Sequence, residues 1–214
     1  MCGIVGAPTL SLGAPLATLV KSRGTRSWSL TVLDLNTLTR IHTHQDGSVY
    51  DETQVANFMR ETMLFLDSSI NPYYIFHLQS PTAIDRKYHP AIYMGSNNTE
   101  HYLWHNGMID SSEHRKYDRK WDTQILLESF IDGDGEPDFS KLSEFQGSFA
   151  CYYLNSKKGL YAFRNRISPQ YHYKGSFSSV SFDEAEKIEP GTVYSIPSYD
   201  VVATFENSYN PFGM

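Results

Sequence analysis

Met1-Cys2-Gly3-Ile4-Val5-Gly6 opens the chain, and the residue behind the methionine decides how everything after it is read. If Met1 is removed, Cys2 carries a thiol and a free α-amine on one residue. An α-amino group titrates near pH ~8, so at neutral pH part of it is unprotonated and can take the thiol's proton, directly or through a water. One residue then supplies both nucleophile and base. Ile4 and Val5 read as the start of a buried strand, and Gly3 and Gly6 let other backbone approach closely. Position alone would equally let Cys2 be a small buried hydrophobe, so the rest of the chain has to decide.

At 214 residues the chain fits one domain. We expect it to occupy 1–205, with 206–214 a polar tail that is flexible or docks onto a partner. The net charge is −6 and the basic residues are scattered, so no nucleic-acid footprint is present. With 15 Tyr and 12 Phe the composition suits a β-rich core. Cys2 and Cys151 are the two cysteines, which does not indicate a disulfide framework. Cys151, within Phe149-Ala150-Cys151-Tyr152-Tyr153, reads as filler in a buried strand. No apolar run approaches the ~18–20 residues of a membrane span, and the opening lacks a signal peptide's basic region. A reduced, cytoplasmic protein with no membrane partner is expected.

Along the chain, 13–20 reads as a short helix with Ala14, Ala17 and Val20 on one face. The polar turn Ser22-Arg23-Gly24-Thr25-Arg26-Ser27 leads into a strand over 28–35, which pairs through Asn36-Thr37 with a strand over 38–44. His42 and His44 share one face of that strand, but no third ligand accompanies them and no metal is expected. The clearest helix is 51–66, capped by Asp51, with Val55, Met59, Met63 and Leu66 as its apolar stripe. Strands follow over 73–77, 91–94 and 101–105, the last ending in Asn106-Gly107. A polar loop over 110–120 precedes a helix over 123–131. The run 132–138 has Pro137 where a calcium loop needs glycine, and is a turn. A short helix over 139–145 leads to strands over 151–154, 159–164, 171–173, 177–181 and 193–196. Alternating strands with helices grouped in two places predict an α+β layered fold.

Several of these stretches together resemble the class II glutamine amidotransferases, whose N-terminal cysteine releases ammonia from glutamine. The resemblance rests on Cys2, on Arg23-Gly24, on His77 and Thr82 about a strand end, on Asn106-Gly107 and on Asp122-Thr123. Gly147-Ser148-Phe149-Ala150, the turn Arg164-Asn165-Arg166 before Pro169 and Tyr171, and Pro190-Gly191-Thr192-Val193 are similar to further family segments without carrying chemistry. What it implies is a stand-alone glutaminase domain with the four-layer α-β-β-α sandwich of the N-terminal-nucleophile hydrolases. Cys2 would be the nucleophile, with the Asn106 side-chain amide and the Gly107 N–H as oxyanion hole. Arg23, Thr82 and Asp122 would line the substrate, Asp122 holding its α-ammonium. Asn106-Gly107 alone would signal a hairpin, and Asp122 alone a helix cap.

One position departs from the pattern. Gln79 stands where the family has the arginine that grips the α-carboxylate of glutamine. An amide there gives up roughly 1–2 kcal/mol, unless Arg26, Arg86 or Lys87 substitutes. No phosphate-binding loop or nucleotide signature accompanies the domain, so a separate synthase subunit is expected to accept the ammonia, and no cofactor is implied. Two other readings stand beside this one: a hydrolase of another γ-glutamyl or amide compound, suggested by Gln79, and a non-catalytic scaffold subunit with the same fold.

Overall fold

The structure, a computed structural model, describes residues 2–63, 68–80, 89–116 and 120–207, with the backbone alone for Met59 and residues 61–63. In chain order its elements begin with strand β1 (Gly3–Ala7), helix α1 (Leu10–Val20), β2 (Ser27–Asp34), β3 (Thr39–Asp46), α2 (Glu52–Met63) and β4 (Pro72–Gln79). They continue with β5 (Ala91–Met94), β6 (Glu100–Ile109), α3 (Ser111–Lys116), α4 (Asp122–Ser129), a 3-10 turn (Phe139–Ser143), β7 (Gly147–Asn155) and β8 (Gly159–Arg164). The last strands are β9 (Tyr171–Tyr173), β10 (Ser176–Ser178), β11 (Glu186–Lys187), β12 (Thr192–Ile196) and β13 (Val201–Thr204). The chain divides into two compact units, Met1–Tyr88 with Tyr171–Glu186, and His89–Gln170 with Lys187–Met214. Two antiparallel sheets with a few helices make it an α+β protein.

The first unit is built on a sheet in the order β11-β9-β10-β1-β4-β2-β3. Side chains alternate across a strand, so register decides which residues share a face. Val5, Phe76 and Leu30 lie in one cross-strand row, and Leu78 with Trp28 in the next on that face. This face is apolar and packs on α1 and α2 through Leu16, Ala17, Val20, Val55 and Phe58. The opposite face carries Ile4, His77 and Ser29 in one row and Gln79 with Ser27 in another. It is mixed, with Ile4 and Ile75 beside His77, Ser27, Ser29 and Thr31, and all of these are buried.

Local chemistry sets the helix starts. Thr9 caps α1, its Oγ1 accepting from the Leu12 N–H at 3.3 Å, which moves the start ahead of the 13–20 expectation. Asp51 precedes α2 and its Oδ1 accepts from the Thr53 N–H at 2.9 Å. Val55 and Phe58 face inward, and His42 and His44 both pack their rings on Phe58. Their common face is thus an aromatic contact. Leu66 of the expected stripe lies outside the described residues.

The second unit holds a sheet in the order β13-β12-β8-β7-β6-β5. β6 and β7 pair without a bulge from His101↔Asn155 to Ile109↔Gly147. One face, with Leu103, Phe149, Cys151, Tyr153 and Phe163, packs on Ile125, Leu126 and Phe130 of α4. Burial pushes the Cys151 thiol far up, as befits core filler. Here the structure corrects two expectations. The strand read as ending in Asn106-Gly107 runs on to Ile109, because both residues have partners, Ala150 and Phe149, on β7. The loop over 110–120 contains α3, held by Asp110, whose Oδ1 accepts from the Ser112 N–H at 2.8 Å. Among the described residues no helix is long and apolar enough to cross a membrane.

Candidate active site

In the first unit the candidates gather at one end of β1 and β4. Cys2 is buried, and the Ser80 N–H donates to its Sγ at 3.5 Å. Gly3 pairs with Leu78, so one further step of that register sets Cys2 opposite Gln79. On the other side of β4, Gln79 is opposite Ser27, whose Oγ donates to Gln79 Oε1 at 2.9 Å. Ser27, Gln79 and Cys2 therefore form one cross-strand row, on the face turned away from α1 and α2. The Arg26 N–H donates to the Gln79 carbonyl at 3.1 Å and carries the ladder one step past β2.

Arg23 reaches this end of the sheet through Ser179. Its Nη1 donates to the Ser179 carbonyl at 2.7 Å. Ser179 in turn takes the Ile4 N–H on its Oγ at 3.1 Å and gives its own N–H to the Ile4 carbonyl at 2.9 Å. Arg23 thus braces the strand that carries Cys2. Gly24 is there for space: a Cβ would lie 2.2 Å from the carbonyl carbon and oxygen of Leu78. The turn 22–27 is therefore pressed against the end of β4. Thr82, Arg86 and Lys87 lie outside the described residues.

In the second unit Asn106 sits in mid-strand, on the face of β6 turned away from α4. It is 0% exposed, and among the described residues neither its Oδ1 nor its Nδ2 has a hydrogen-bond partner. Leaving a buried polar group unmatched costs about 1–3 kcal/mol. Stability alone gives no reason for a carboxamide here. Gly107 is required sterically, since a Cβ would fall 1.8 Å from the Ser148 carbonyl oxygen. That same oxygen accepts from His105 Nε2 at 3.1 Å, and the Ser148 Oγ takes the Met108 N–H at 3.0 Å. Burial depresses the His105 pKa, against the opposing pull of the Ser148 carbonyl and Asp122.

Asp122 is the first residue of α4. The cap position belongs to Trp121, which makes no side-chain cap bond, so Asp122 is not the cap. Its Oδ1 lies 2.9 Å from His114 Nε2, and its Oδ2 accepts from the Ile109 N–H at 3.3 Å. The carboxylate is about a third exposed and tied to the end of β6. Among the described residues no three His, Cys, Asp or Glu side chains gather as a metal site. Sequence reasoning missed Ser27, Ser80, Ser179 and His114. Ser27 shares a cross-strand row with Gln79, while Ser80 bonds Cys2 and Ser179 bonds Ile4, links that no motif announces.

No protein-family model matches the chain, and no curated protein matches it either. Solved structures do. One, described as the allosteric regulatory enzyme of purine biosynthesis, is 16% identical with a TM-score of 0.65, covering 91% of this chain and 47% of that one. Another is a glutamine phosphoribosylpyrophosphate amidotransferase from B. subtilis complexed with ADP and GMP. It is 15% identical with a TM-score of 0.64, covering 94% of this chain and 49% of that one. At such identity the likeness is one of fold alone. The chain spans about half the length of those proteins.

Proposed function

We propose that the chain is the glutaminase part of a glutamine amidotransferase with a four-layer α-β-β-α arrangement, acting on a glutamine side-chain amide. The observation that carries this reading is the carboxamide of Asn106, fully buried and without a hydrogen-bond partner among the described residues. Such a group is tolerated where a transient charge will use it, as an oxyanion does. The Cys2 amine takes the thiol proton and the Sγ attacks the amide carbon, pushing the carbonyl electrons onto oxygen. Asn106 Nδ2 and the Gly107 N–H stabilise that oxygen. As the tetrahedral centre collapses the C–N bond breaks, and the ammonium of Cys2 returns its proton to the leaving nitrogen, giving ammonia and a thioester. Water then cleaves the C–S bond, yielding the glutamate carboxylate and the free thiol.

The Ser80 N–H steadies the thiolate in this scheme, and Arg23 positions β1 through Ser179. Asp122 receives the substrate's α-ammonium and Thr82 lines the site. A separate synthase subunit consumes the ammonia. The test is intact mass after treatment with diazo-oxo-norleucine, alongside ammonia release from glutamine. We expect loss of Met1, a single adduct on Cys2, and neither adduct nor ammonia from Cys2→Ala. Ammonia release retained by Cys2→Ala would overturn the mechanism.

A further inference from the structure

The oxyanion role draws on Asn106 Nδ2 alone and leaves a second imbalance on the same strand. Asn106 Oδ1 has no hydrogen-bond partner among the described residues, and neither has Trp104 Nε1. Both side chains are 0% exposed. The two residues are two apart on β6, so they share the face turned away from α4, with Cα atoms about 6–7 Å apart. Opposite Asn106 on β7 stands Ala150, which brings only a methyl group, and opposite Trp104 stands Tyr152. The indole lies beside the ring of Tyr102, centroids 6.4 Å apart, and the Tyr102 hydroxyl donates to Glu100 Oε2 at 2.5 Å. A buried indole N–H ordinarily finds an acceptor, and a phenyl ring would occupy much of this space without an unmatched donor.

One acceptor and one donor left open on the same strand face match a small molecule that both donates and accepts. The proposed reaction handles two of that kind in turn: ammonia leaves the acyl carbon, and water attacks it. Thioester hydrolysis retraces amide cleavage with oxygen in place of nitrogen, so water enters where ammonia departs.

We propose that Trp104 is a further catalytic residue, its Nε1–H and Asn106 Oδ1 forming a subsite for the ammonia released at the acyl carbon and the water that follows it. This subsite rests on the reading of Cys2 as the nucleophile for a glutamine side-chain amide. When the C–N bond breaks, the lone pair of ammonia accepts the indole N–H and one of its own N–H groups donates to Asn106 Oδ1. Water then takes the same place, held by the same two partners. Its free lone pair attacks the thioester carbon, one proton passes to the Cys2 amine, and the other stays on the oxygen. Collapse breaks the C–S bond, the ammonium of Cys2 returns its proton to sulfur, and the acid formed loses its proton to solvent as glutamate.

The test separates thioester hydrolysis from attack on the thiol. Trp104→Phe removes the N–H and keeps an aromatic ring. The acyl-enzyme formed with glutamine, freed of substrate and followed by intact mass, should decay about three- to ten-fold more slowly in Trp104→Phe, the worth of one neutral hydrogen bond. Labelling of Cys2 by diazo-oxo-norleucine, which needs no water, should keep its wild-type rate; general damage to the site would slow both. Decay at the wild-type rate, or an equal slowing of both, overturns the proposal. A second measurement needs no change at Trp104. Of the three tryptophan indole N–H signals in 15N-labelled Cys2→Ala, that of Trp104 should move when ammonia is titrated in at alkaline pH. A signal that stays in place also overturns it. A wild type that neither forms a thioester nor releases ammonia removes the Cys2 reading and this subsite with it.

Discussion

Asn106 is where stability and chemistry part company. A buried carboxamide without partners is a standing cost, so an apolar side chain of similar shape should relieve it. Asn106→Leu is expected to raise the unfolding free energy by about 1–3 kcal/mol while cutting ammonia release by about 10²–10³. Urea denaturation and a turnover assay on one preparation check both halves, and a destabilised Asn106→Leu would count against an unsatisfied amide. Gly107 makes the opposite prediction. A Cβ there would fall 1.8 Å from the Ser148 carbonyl oxygen, so Gly107→Ala should cost about 3 kcal/mol as the backbone shifts. Urea midpoints would show it. At this scale the sequence was informative about residue types: Cys2, Asn106 and Gly107 stand out by identity. That Asn106 lacks a partner could not be read from it, since satisfaction depends on what every neighbouring strand brings.

Elements with a strong apolar period were legible, and those without one were not. The strands over 171–173 and 91–94 appear at the residues expected, and the helix expected over 51–66 starts one residue later, at Glu52, and is described as far as Met63. α3 has no apolar stripe. Its six residues are held by Asp110 and by the Lys116 Nζ–Glu113 Oε1 pair at 2.8 Å, so periodicity had nothing to detect. The expectation for β6 ends it at Asn106-Gly107, a pair that taken alone signals a turn, and pairing with β7 carries the strand on to Ile109. The inward stripe of α2 includes Phe58, which touches both His42 and His44 on β3. Phe58→Ala should therefore cost about 3–5 kcal/mol, measured by thermal or urea unfolding. Loss below about 1 kcal/mol would mean that α2 is not fastened to the sheet by this ring. Thr9→Ala, which removes the cap of α1, should cost only about 1 kcal/mol.

Across the molecule, burial holds His101, His105 and His172 below the ordinary imidazole range, with nearby carboxylates and carbonyls pulling weakly the other way. A free imidazole titrates near pH ~6.5, so between that value and the lower folded ones the unfolded chain binds more protons. The stability these groups contribute is present above about pH 6.5 and lost as pH falls through their folded values. Urea midpoints should decline from pH ~7 to pH ~5, before carboxylates begin to titrate, and His105→Gln should flatten the decline. Topology adds a consequence in time. β1 lies between β4 and β10, and Ser179 fastens Ile4 from 175 residues away. The strand beside the thiol thus stays half-bare until residues 176–179 have left the ribosome. Pairings so distant close slowly. A nascent chain stalled before them would hold its nucleophile on an open edge, exposed to oxidants and to other chains, so this corner assembles only once residues 176–179 have emerged.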